Sequence, residues 1–421
     1  MTPQLAMVLG FAALILLGAG ALMLPISSRQ GGVSPVVALF TSTSAVCVTG
    51  IQVVDPGTYW SSFGQAVILG LMQLGGLGFV VGATTLQLIR RSTLGFQERA
   101  AAQQTGYTVQ LGGHRGLVQR AVVLALLAEA VGALVLWIRF APRFGVGRGL
   151  WLAVFHSVSA FTNASFDLFG DSRSLANFQT DTIVLLTIAG LIIAGGLSLL
   201  VVEDVFRVRG WRRLALDSKL VLSGTAVLLL GGTLVIFITE HGNPASLARL
   251  PLPYQLLNSF FHSAAARTAG FSTWDFSHSD ERTLFFLLGL MFVGGAPGSM
   301  AGGIKLTTAG VLLAAVWSTL RGRSEATAFR RRIAQPHVSQ ALVVALLSLA
   351  LVANVAFGIS LIDGGRLRGI PFLHLVFDVT SAFGTVGFST GVPPRLSAPT
   401  QPRCWSVRRI GTETSAKPGA D

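Results

Sequence analysis

Hydrophobic residues in this chain are gathered into long runs that are separated by short polar linkers. Several runs reach about 20 residues, the length that a helix needs to cross the hydrocarbon core of a bilayer. These runs cover residues 5–24, 61–89, 117–138, 182–206, 219–239 and 338–361. Because a chain in lipid must satisfy its own backbone hydrogen bonds, an apolar run of this length predicts a helix. The pattern therefore indicates a protein that crosses the membrane several times.

Four shorter apolar segments alternate with the long runs. They cover residues 34–46, 150–161, 253–265 and 371–383, and each is too short to span the membrane. We expect each segment to enter the membrane as a half-helix and to return as an extended strand, forming a re-entrant loop. Irregular backbone at membrane depth is tolerated only where it is buried in protein or lines a water-filled cavity. The turns that end the half-helices should therefore face a pore.

The four turns share a sequence pattern. Residues 44–51, 159–166, 264–271 and 381–388 align without gaps. The alignment places small residues at one position, which we call the column: Gly50, Ser165, Gly270 and Gly387. Phe follows the column in three copies and Ile follows it in the first. A period of about a hundred residues is too long for a solenoid repeat and suits the internal repeats of transport proteins.

These repeats predict four units, each made of a helix, a re-entrant pore loop and a second helix around a central ion pore. The predicted fold class is an all-α membrane protein whose fourth pseudo-repeat is incomplete. The units cover residues 1–90, 115–207, 217–321 and 336–391. The fourth unit lacks its second helix, because residues 392–421 contain no apolar run and several Pro and Arg residues. This tail is predicted to be disordered or aberrant.

A glycine-rich segment at residues 294–305 interrupts the second helix of the third unit. Glycine costs about 1 kcal/mol and proline about 3 kcal/mol in a helix interior, so the helix should break here and resume near residue 306. We expect the segment to lie in the membrane beneath the turns as a gate loop. Its candidate residues are Gly294, Gly295, Pro297, Gly298, Gly302, Gly303 and Lys305. Lys305 is predicted to form a positive barrier in the pore or to cap the resumed helix.

Two other glycine pairs, at residues 75–76 and 195–196, lie inside second helices. No strand and no Walker-type Lys-Ser accompanies them, so they are not predicted to bind phosphate. Small residues inside membrane helices let two backbones approach closely. We therefore expect both helices to continue through these pairs, with close helix packing at each.

Charge is scarce and unevenly placed. Charged residues make up 12% of the chain, against about 25% in soluble proteins, which excludes a soluble protein. The net charge of +13 comes mainly from linkers at residues 90–120, 207–219 and 321–332. Basic short loops mark the cytoplasmic side, which predicts a cytoplasmic N-terminus and argues against nucleic-acid binding. A second interpretation is that the linkers also dock a cytosolic partner.

Four turns around one axis suit the coordination of a dehydrated cation. Backbone carbonyls can replace its water shell, glycine allows the necessary backbone angles, and half-helices direct their negative ends toward it. The predicted ligand is K⁺ or Na⁺, without an organic cofactor. The candidate filter residues are Val48, Thr49, Gly50, Asn163, Ala164, Ser165, Thr268, Ala269, Gly270, Thr385, Val386 and Gly387.

The motifs at residues 43–50, 267–271, 294–305 and 381–387 resemble the TrkH/KtrB/HKT superfamily of potassium transporters, and the chain is most similar to the KtrB membrane subunit. The resemblance implies potassium uptake across a bacterial cell membrane, the inner membrane where there are two. It also implies a homodimer in contact with membrane lipid. A cytosolic nucleotide-binding regulatory subunit, of the KtrA or TrkA kind, is implied as its partner.

Two departures from the family pattern leave alternatives open. Ser165 occupies a position where the family usually has glycine, which puts potassium selectivity over sodium in doubt. The family's last helix, whose Arg lies near the pore, has no counterpart after residue 391. The alternatives are a transporter permeable to both Na⁺ and K⁺, a non-conducting truncated transporter, and a polytopic membrane enzyme. We expect no enzyme, since Glu129 and Asp378 are nearly the only carboxylates within the apolar segments.

The remaining polar residues in apolar segments carry weaker expectations. Glu129 is predicted either to make a structural hydrogen bond or to take part in gating. His156, His262 and His374 lie on or near half-helices, and packing at their polar edge is favoured over a metal site. Asp378 stands nine places before Gly387, as His156 stands nine places before Ser165. This shared place predicts a polar contact behind the filter.

Overall fold

The computed structural model describes residues 3–92, 114–170, 174–208, 210–323, 325–329, 331–393 and 396, and it is mostly helical. The long helices are α1 (Pro3–Met23), α3 (Ser62–Ser92), α4 (His114–Phe144), α8 (Leu216–Glu240) and α12 (Gln335–Asp363). The short helices are α2 (Pro35–Val46), α5 (Val146–Phe161), α6 (Thr182–Gly196), α7 (Leu199–Val208), α9 (Leu252–Ala265), α10 (Glu281–Phe292), α11 (Leu306–Leu320) and α13 (Phe372–Phe383). One antiparallel strand pair joins β1 (Thr327–Ala328) to β2 (Arg331–Arg332).

Four helices in the described part of the chain are long and apolar enough to cross a membrane, and a bent pair makes a fifth candidate. The four are α3, α4, α8 and α12, and the bent pair is α6 with α7. Large apolar side chains such as Leu17, Phe285 and Leu347 are exposed on the outer faces of the helices. In water this exposure would be costly, whereas in a bilayer these side chains contact lipid. The protein is therefore a multi-pass membrane protein.

The four predicted half-helices are present as α2, α5, α9 and α13, with 12, 16, 14 and 12 residues. At about 1.5 Å per residue they are shorter than the hydrocarbon core of about 30 Å. Other helices pack on each of them: α1 and α3 pack on α2, α4 and α6 on α5, α8 on α9, and α10 and α12 on α13. The half-helices therefore end inside protein.

The helix of the third unit breaks where glycine and proline predict it. Helix α10 ends at Phe292 and α11 begins at Leu306. The connecting segment folds back on itself, since the Gly294 N–H donates to the Ile304 carbonyl at 2.9 Å and the Ile304 N–H donates to the Phe292 carbonyl at 3.0 Å. These bonds replace part of the helical hydrogen bonding that the break removes.

The second helix of the second unit corrects one prediction. It does not run unbroken over residues 182–206: α6 ends at Gly196, α7 begins at Leu199, and their axes differ by 93°. The Gly195 and Gly196 carbonyls accept hydrogen bonds from the N–H groups of Met300 and Ala296 at 3.3 and 3.0 Å. Contact with the gate loop thus supplies hydrogen-bond donors to two carbonyls at the end of α6. These bonds replace helical hydrogen bonds that are lost where α6 ends.

Two parts of the sequence interpretation lie outside the described residues. Of the tail at residues 392–421, the structure describes Val392, Pro393 and Leu396. Most of the first basic linker, residues 93–113, is likewise outside them.

Candidate ion-selectivity filter

The structure brings the four column residues together. A methyl group built on Gly50, Gly270 or Gly387 would lie 2.1, 2.8 or 2.7 Å from the Cβ of Ser165. These separations are far below van der Waals contact, so all three glycines abut the same serine. The residues that the alignment placed in one column therefore surround one point in space.

The backbone of the turns repeats one conformation. In every turn the column residue and the residue two places before it have positive φ, while the residue between them does not. The φ values are 54° and 72° at Val48 and Gly50, 58° and 62° at Asn163 and Ser165, 79° and 55° at Thr268 and Gly270, and 53° and 92° at Thr385 and Gly387. A residue of positive φ on each side of one without it allows successive carbonyls to face one side, as a ring of carbonyl ligands requires.

Left-handed backbone costs a non-glycine residue about 1–3 kcal/mol and persists only where surrounding structure holds it. At the end of three of the half-helices, a backbone hydrogen bond joins two residues that are five positions apart. The N–H groups of Thr49, Ala164 and Val386 donate to the carbonyls of Ser44, Ser159 and Ser381, each at 2.8 Å. In the third turn the Ala265 carbonyl accepts from the Ala269 N–H, four residues later, at 2.9 Å and from the Gly270 N–H, five residues later, at 3.2 Å. The five-residue bond of the third turn therefore lies one residue nearer the column than in the other turns.

Ser165 directs its side chain into the centre of the four turns. Its hydroxyl donates a 2.6 Å hydrogen bond to the Val386 carbonyl, and the side chain is buried. Its own carbonyl accepts from the Gln52 amide at 3.2 Å. The serine therefore engages a carbonyl of the fourth turn with its hydroxyl, and no glycine could do so.

A second polar side chain, that of Asn163, lies two places before the column. Asn163 is fully buried, its Nδ2 is 3.5 Å from the Thr268 hydroxyl, and its Oδ1 has no hydrogen-bond partner in the described structure. An unpartnered buried oxygen is costly. This oxygen is free to contact an ion or water at the inner end of the turns.

The gate loop packs directly against the fourth turn. A methyl group on Gly302 would lie 2.1 Å from the Thr385 hydroxyl and 2.7 Å from the Gly384 carbonyl. Lys305 donates from Nζ to the Ala301 carbonyl at 2.5 Å, and its ammonium lies 5.1 Å from the centre of the Phe79 ring. Lys305 thus binds the loop that precedes it while remaining half-buried.

The glycine pairs make the close approach that small residues predict. A methyl group on Gly75 would lie 2.1 Å from the Val46 carbonyl, and one on Gly195 would lie 1.8 Å from the Phe161 carbonyl. Helices α3 and α6 therefore cross the C-terminal ends of α2 and α5 in backbone contact. This packing leaves the half-helix ends no room to shift sideways.

Glu129 is held by a residue that the sequence analysis did not single out. The Gln73 amide donates to both carboxylate oxygens of Glu129, at 3.1 and 2.9 Å. The Ser157 hydroxyl donates to the Glu129 carbonyl at 2.6 Å. Of the two expectations for Glu129, the structure shows the structural hydrogen bond. The signal for Gln73 was a polar amide within a long apolar run.

Acidic residues lie in the loops that follow the first and second turns. Burial raises the pKa of the Asp167 carboxyl to about 7, and the Asp55 carboxylate adds to the rise; the Phe169 N–H and the Gln52 side chain oppose it. Asp55 itself accepts from the Gly57 N–H at 2.8 Å. The loops after the first and second turns therefore meet at this carboxylate pair.

Comparison with known proteins identifies the family. A family model described as "TrkH: Cation transport protein" matches residues 6–402. The chain belongs to the TrkH/KtrB family of cation transport proteins. It is 40% identical over 396 residues to the Ktr system potassium uptake protein B of Bacillus subtilis, covering 94% of this chain and 87% of that protein. It is 36% identical over 399 residues to the potassium/sodium uptake protein NtpJ of Enterococcus hirae, with the same coverage.

The fold is similar to a solved family member. The crystal structure of the potassium transporter TrkH from Vibrio parahaemolyticus superposes with a TM-score of 0.63 at 17% identity, covering 91% of this chain and 82% of TrkH. The resemblance drawn from the motifs and the helical fold class are thus confirmed. Membership in a transport family also excludes the membrane-enzyme alternative.

Proposed function

We propose that this TrkH/KtrB family member takes up potassium across the cell membrane through a filter of backbone carbonyls. The filter consists of residues 48–50, 163–165, 268–270 and 385–387. The observation that carries the proposal is the repeated pair of positive φ angles in four turns that meet at Ser165. The name of the B. subtilis relative, a potassium uptake protein, supports K⁺ as the ion.

The surroundings of the turns favour a cation without a carboxylate in the column. Helices α2, α5, α9 and α13 end at Val46, Phe161, Ala265 and Phe383, all within a few residues of the column. Each C-terminus carries a partial negative charge of about half an elementary charge. Four such ends compensate a dehydrated monovalent cation, while the carbonyls determine which size fits.

The gate loop is proposed to regulate access from the cytoplasm. It lies against Thr385 and Gly384 at one end of the fourth turn, and its own backbone bonds hold it at a helix break. Residues 1–90, 115–207, 217–321 and 336–391 are proposed as four pseudo-repeats around the pore. Each of them contains a long helix followed by a half-helix.

The assembly is proposed to contain two copies of this chain and a cytosolic nucleotide-binding subunit. Three relatives are named as proteins of a Ktr system, which supports a multi-component transporter. Exposed arginines on the linkers between units favour a cytoplasmic location for these linkers and for the N-terminus. They include Arg207, Arg212, Arg213, Arg321, Arg323 and Arg332.

A second candidate is a pore that admits both potassium and sodium. The hydrogen bond from Ser165 to the Val386 carbonyl favours it, because that bond competes with the ion for an oxygen ligand. The E. hirae relative is named a potassium/sodium uptake protein.

The test is rubidium uptake into proteoliposomes that contain the purified chain. We expect uptake above that of empty vesicles, with stronger inhibition by external K⁺ than by Na⁺. Equal inhibition by both ions supports the second candidate. Uptake no faster than in empty vesicles overturns both and supports a non-conducting chain.

A further inference from the structure

Three of the four half-helices place a buried polar side chain against the extended segment that follows the turn, which we call the exit strand. In each case the acceptor receives the backbone N–H of the residue three places after the column. The pairs are Leu168 N–H to His156 Nε2 at 3.3 Å, Thr273 N–H to His262 Nε2 at 3.2 Å, and Thr390 N–H to an Asp378 oxygen at 2.8 Å. One geometric role is thus filled by two kinds of side chain.

The two histidines are fixed in the tautomer that this role needs. Nδ1 of His156 lies 2.7 Å from the Leu152 carbonyl, and Nδ1 of His262 lies 2.9 Å from the Asn258 carbonyl. A carbonyl only accepts, so the proton is on Nδ1, and Nε2 is left as an acceptor. Both rings are fully buried. The His262 ring also lies against Trp274, with 3.6 Å between ring centres.

In the fourth unit a carboxylate replaces the imidazole and accepts more bonds. Asp378 accepts from the N–H groups of Thr390 and Val392 at 2.8 and 3.1 Å. It also accepts from the hydroxyls of Ser389 and Thr390 at 3.2 and 3.4 Å. Hydrogen bonds to an ionised acceptor are about twice as strong as neutral ones. Asp378 therefore holds three residues of the exit strand, Ser389, Thr390 and Val392, through four hydrogen bonds to one buried group.

We call each of these hydrogen bonds to the exit strand a brace. A second brace, donated by a serine hydroxyl, is present in two of the four units. The hydroxyls of Ser44 and Ser159 donate to the Ile51 and Phe166 carbonyls, just after the column, at 3.0 and 2.8 Å. The third unit has Ala264 at that place. In the fourth unit the hydroxyl of Ser381 has no partner in the described structure. The second unit thus has two braces, while the third and fourth units have only the side chain described above.

We propose that His156, His262 and Asp378 are positioning residues that set ion selectivity by holding the exit strands of the filter. The inference rests on the proposed function. A fixed exit strand keeps the column carbonyls at the separation that suits K⁺, and a released strand lets them close on the smaller Na⁺. The uneven braces predict an order of sensitivity in which the Asp378 contact matters most, His262 comes next and His156 least.

The experiment compares the ratio of K⁺ to Na⁺ inhibition of rubidium uptake in proteoliposomes of the full chain. Asp378→Asn keeps the size but turns an NH₂ group toward donors, and His262→Phe and His156→Phe keep a ring but remove the acceptor. We expect the ratio to fall about fivefold or more for Asp378→Asn, about fivefold for His262→Phe and about twofold for His156→Phe. His374→Phe, on the same helix as Asp378, is the matched control and should leave the ratio unchanged.

Selectivity in protein that remains folded is the readout that a purely structural role would not move. Thermal melting and yield in detergent identify variants that fail to fold. Should Asp378→Asn fail to fold, Ser389→Ala with Thr390→Val leaves the carboxylate in place and removes its two hydroxyl donors, together with the contacts of these hydroxyls to the His374 carbonyl and the Gly391 N–H. This variant should still lower the ratio about twofold. Unchanged ratios in folded Asp378 and His262 variants, beside selective uptake by the unmodified chain, overturn the inference but not the proposed function. Absent uptake by the unmodified chain overturns the proposed function on which the inference rests.

Discussion

Replacing Ser165 by glycine tests the filter at the point where its four turns meet. The serine hydroxyl donates a 2.6 Å hydrogen bond to the Val386 carbonyl, and its backbone has a φ of 62°. Ser165→Gly removes the hydroxyl and the Cβ together. It returns the Val386 oxygen to the pore and places the residue best suited to a positive φ at the column.

The structure indicates how large the effects should be. Losing one hydrogen bond costs about 0.5–1.5 kcal/mol, whereas relief of left-handed backbone gains about 1–2 kcal/mol. The free energy of unfolding should therefore change by no more than about 1.5 kcal/mol, since the two effects oppose each other. Selectivity should change more clearly. A freed ligand worth about 1 kcal/mol to K⁺ raises the preference for K⁺ over Na⁺ about fivefold.

The assay is rubidium uptake into proteoliposomes, inhibited by K⁺ or by Na⁺ over a concentration series. Ser165→Ala is the matched control, because it removes the hydroxyl but keeps the Cβ, and it should reach an intermediate ratio. Thermal melting should place all three proteins within a few degrees. Identical inhibition ratios in the unmodified chain and in Ser165→Gly would refute the reasoning.

Three further changes test other parts of the structure. Gly302→Ala places a methyl group 2.1 Å from the Thr385 hydroxyl, so it should push the gate loop from the filter and raise the maximal uptake rate; a slower rate speaks against a gating role. Gly75→Ala places a methyl group 2.1 Å from the Val46 carbonyl oxygen and should lower the melting temperature by several degrees. The control Gly70→Ala, whose methyl group has no neighbour within 4 Å, should leave the melting temperature unchanged. Equal melting temperatures for the two variants would contradict this prediction. Because burial raises the pKa of Asp167 to about 7, this carboxyl becomes negatively charged as the pH rises through 7. A negative charge beside the filter attracts cations, so uptake should increase from pH 6 to pH 8. Asp167→Asn should remove this pH dependence, and the same pH profile in the variant and the unmodified chain would contradict the prediction.

The half-helices and the broken third-unit helix could be predicted because composition alone decides them. A segment of 12–16 apolar residues is too short to span, and the glycines and proline before Lys305 cannot remain helical. The second-unit break could not be predicted in this way. The glycine pairs at residues 75–76 and 195–196 look alike, yet α3 continues through its pair and α6 ends at its pair. What differs is the N–H groups of Ala296 and Met300, about a hundred residues away.

A gapless alignment could not identify His262 as the residue of the third unit that corresponds to His156. His156 and Asp378 stand nine places before the column, but His262 stands eight places before it. In the third turn the five-residue bond runs from Gly270 to Ala265, one residue nearer the column than in the other turns. Helix α9 ends five residues before the column, whereas the other half-helices end four residues before it. Only the folded backbone therefore shows that His262 makes the same hydrogen bond as His156.

Two hydrogen bonds join the gate loop to the end of α6, from the Ala296 and Met300 N–H groups to the Gly196 and Gly195 carbonyls. The two segments are also in close contact at Gly295. A methyl group built on Gly295 would lie 2.7 Å from the Gly196 carbonyl oxygen. The loop can withdraw only by giving up both bonds, worth about 1 kcal/mol each, or by carrying the bend between α6 and α7 along with it. In the second case a displacement of α7 would be transmitted through these hydrogen bonds to the loop that packs against Thr385.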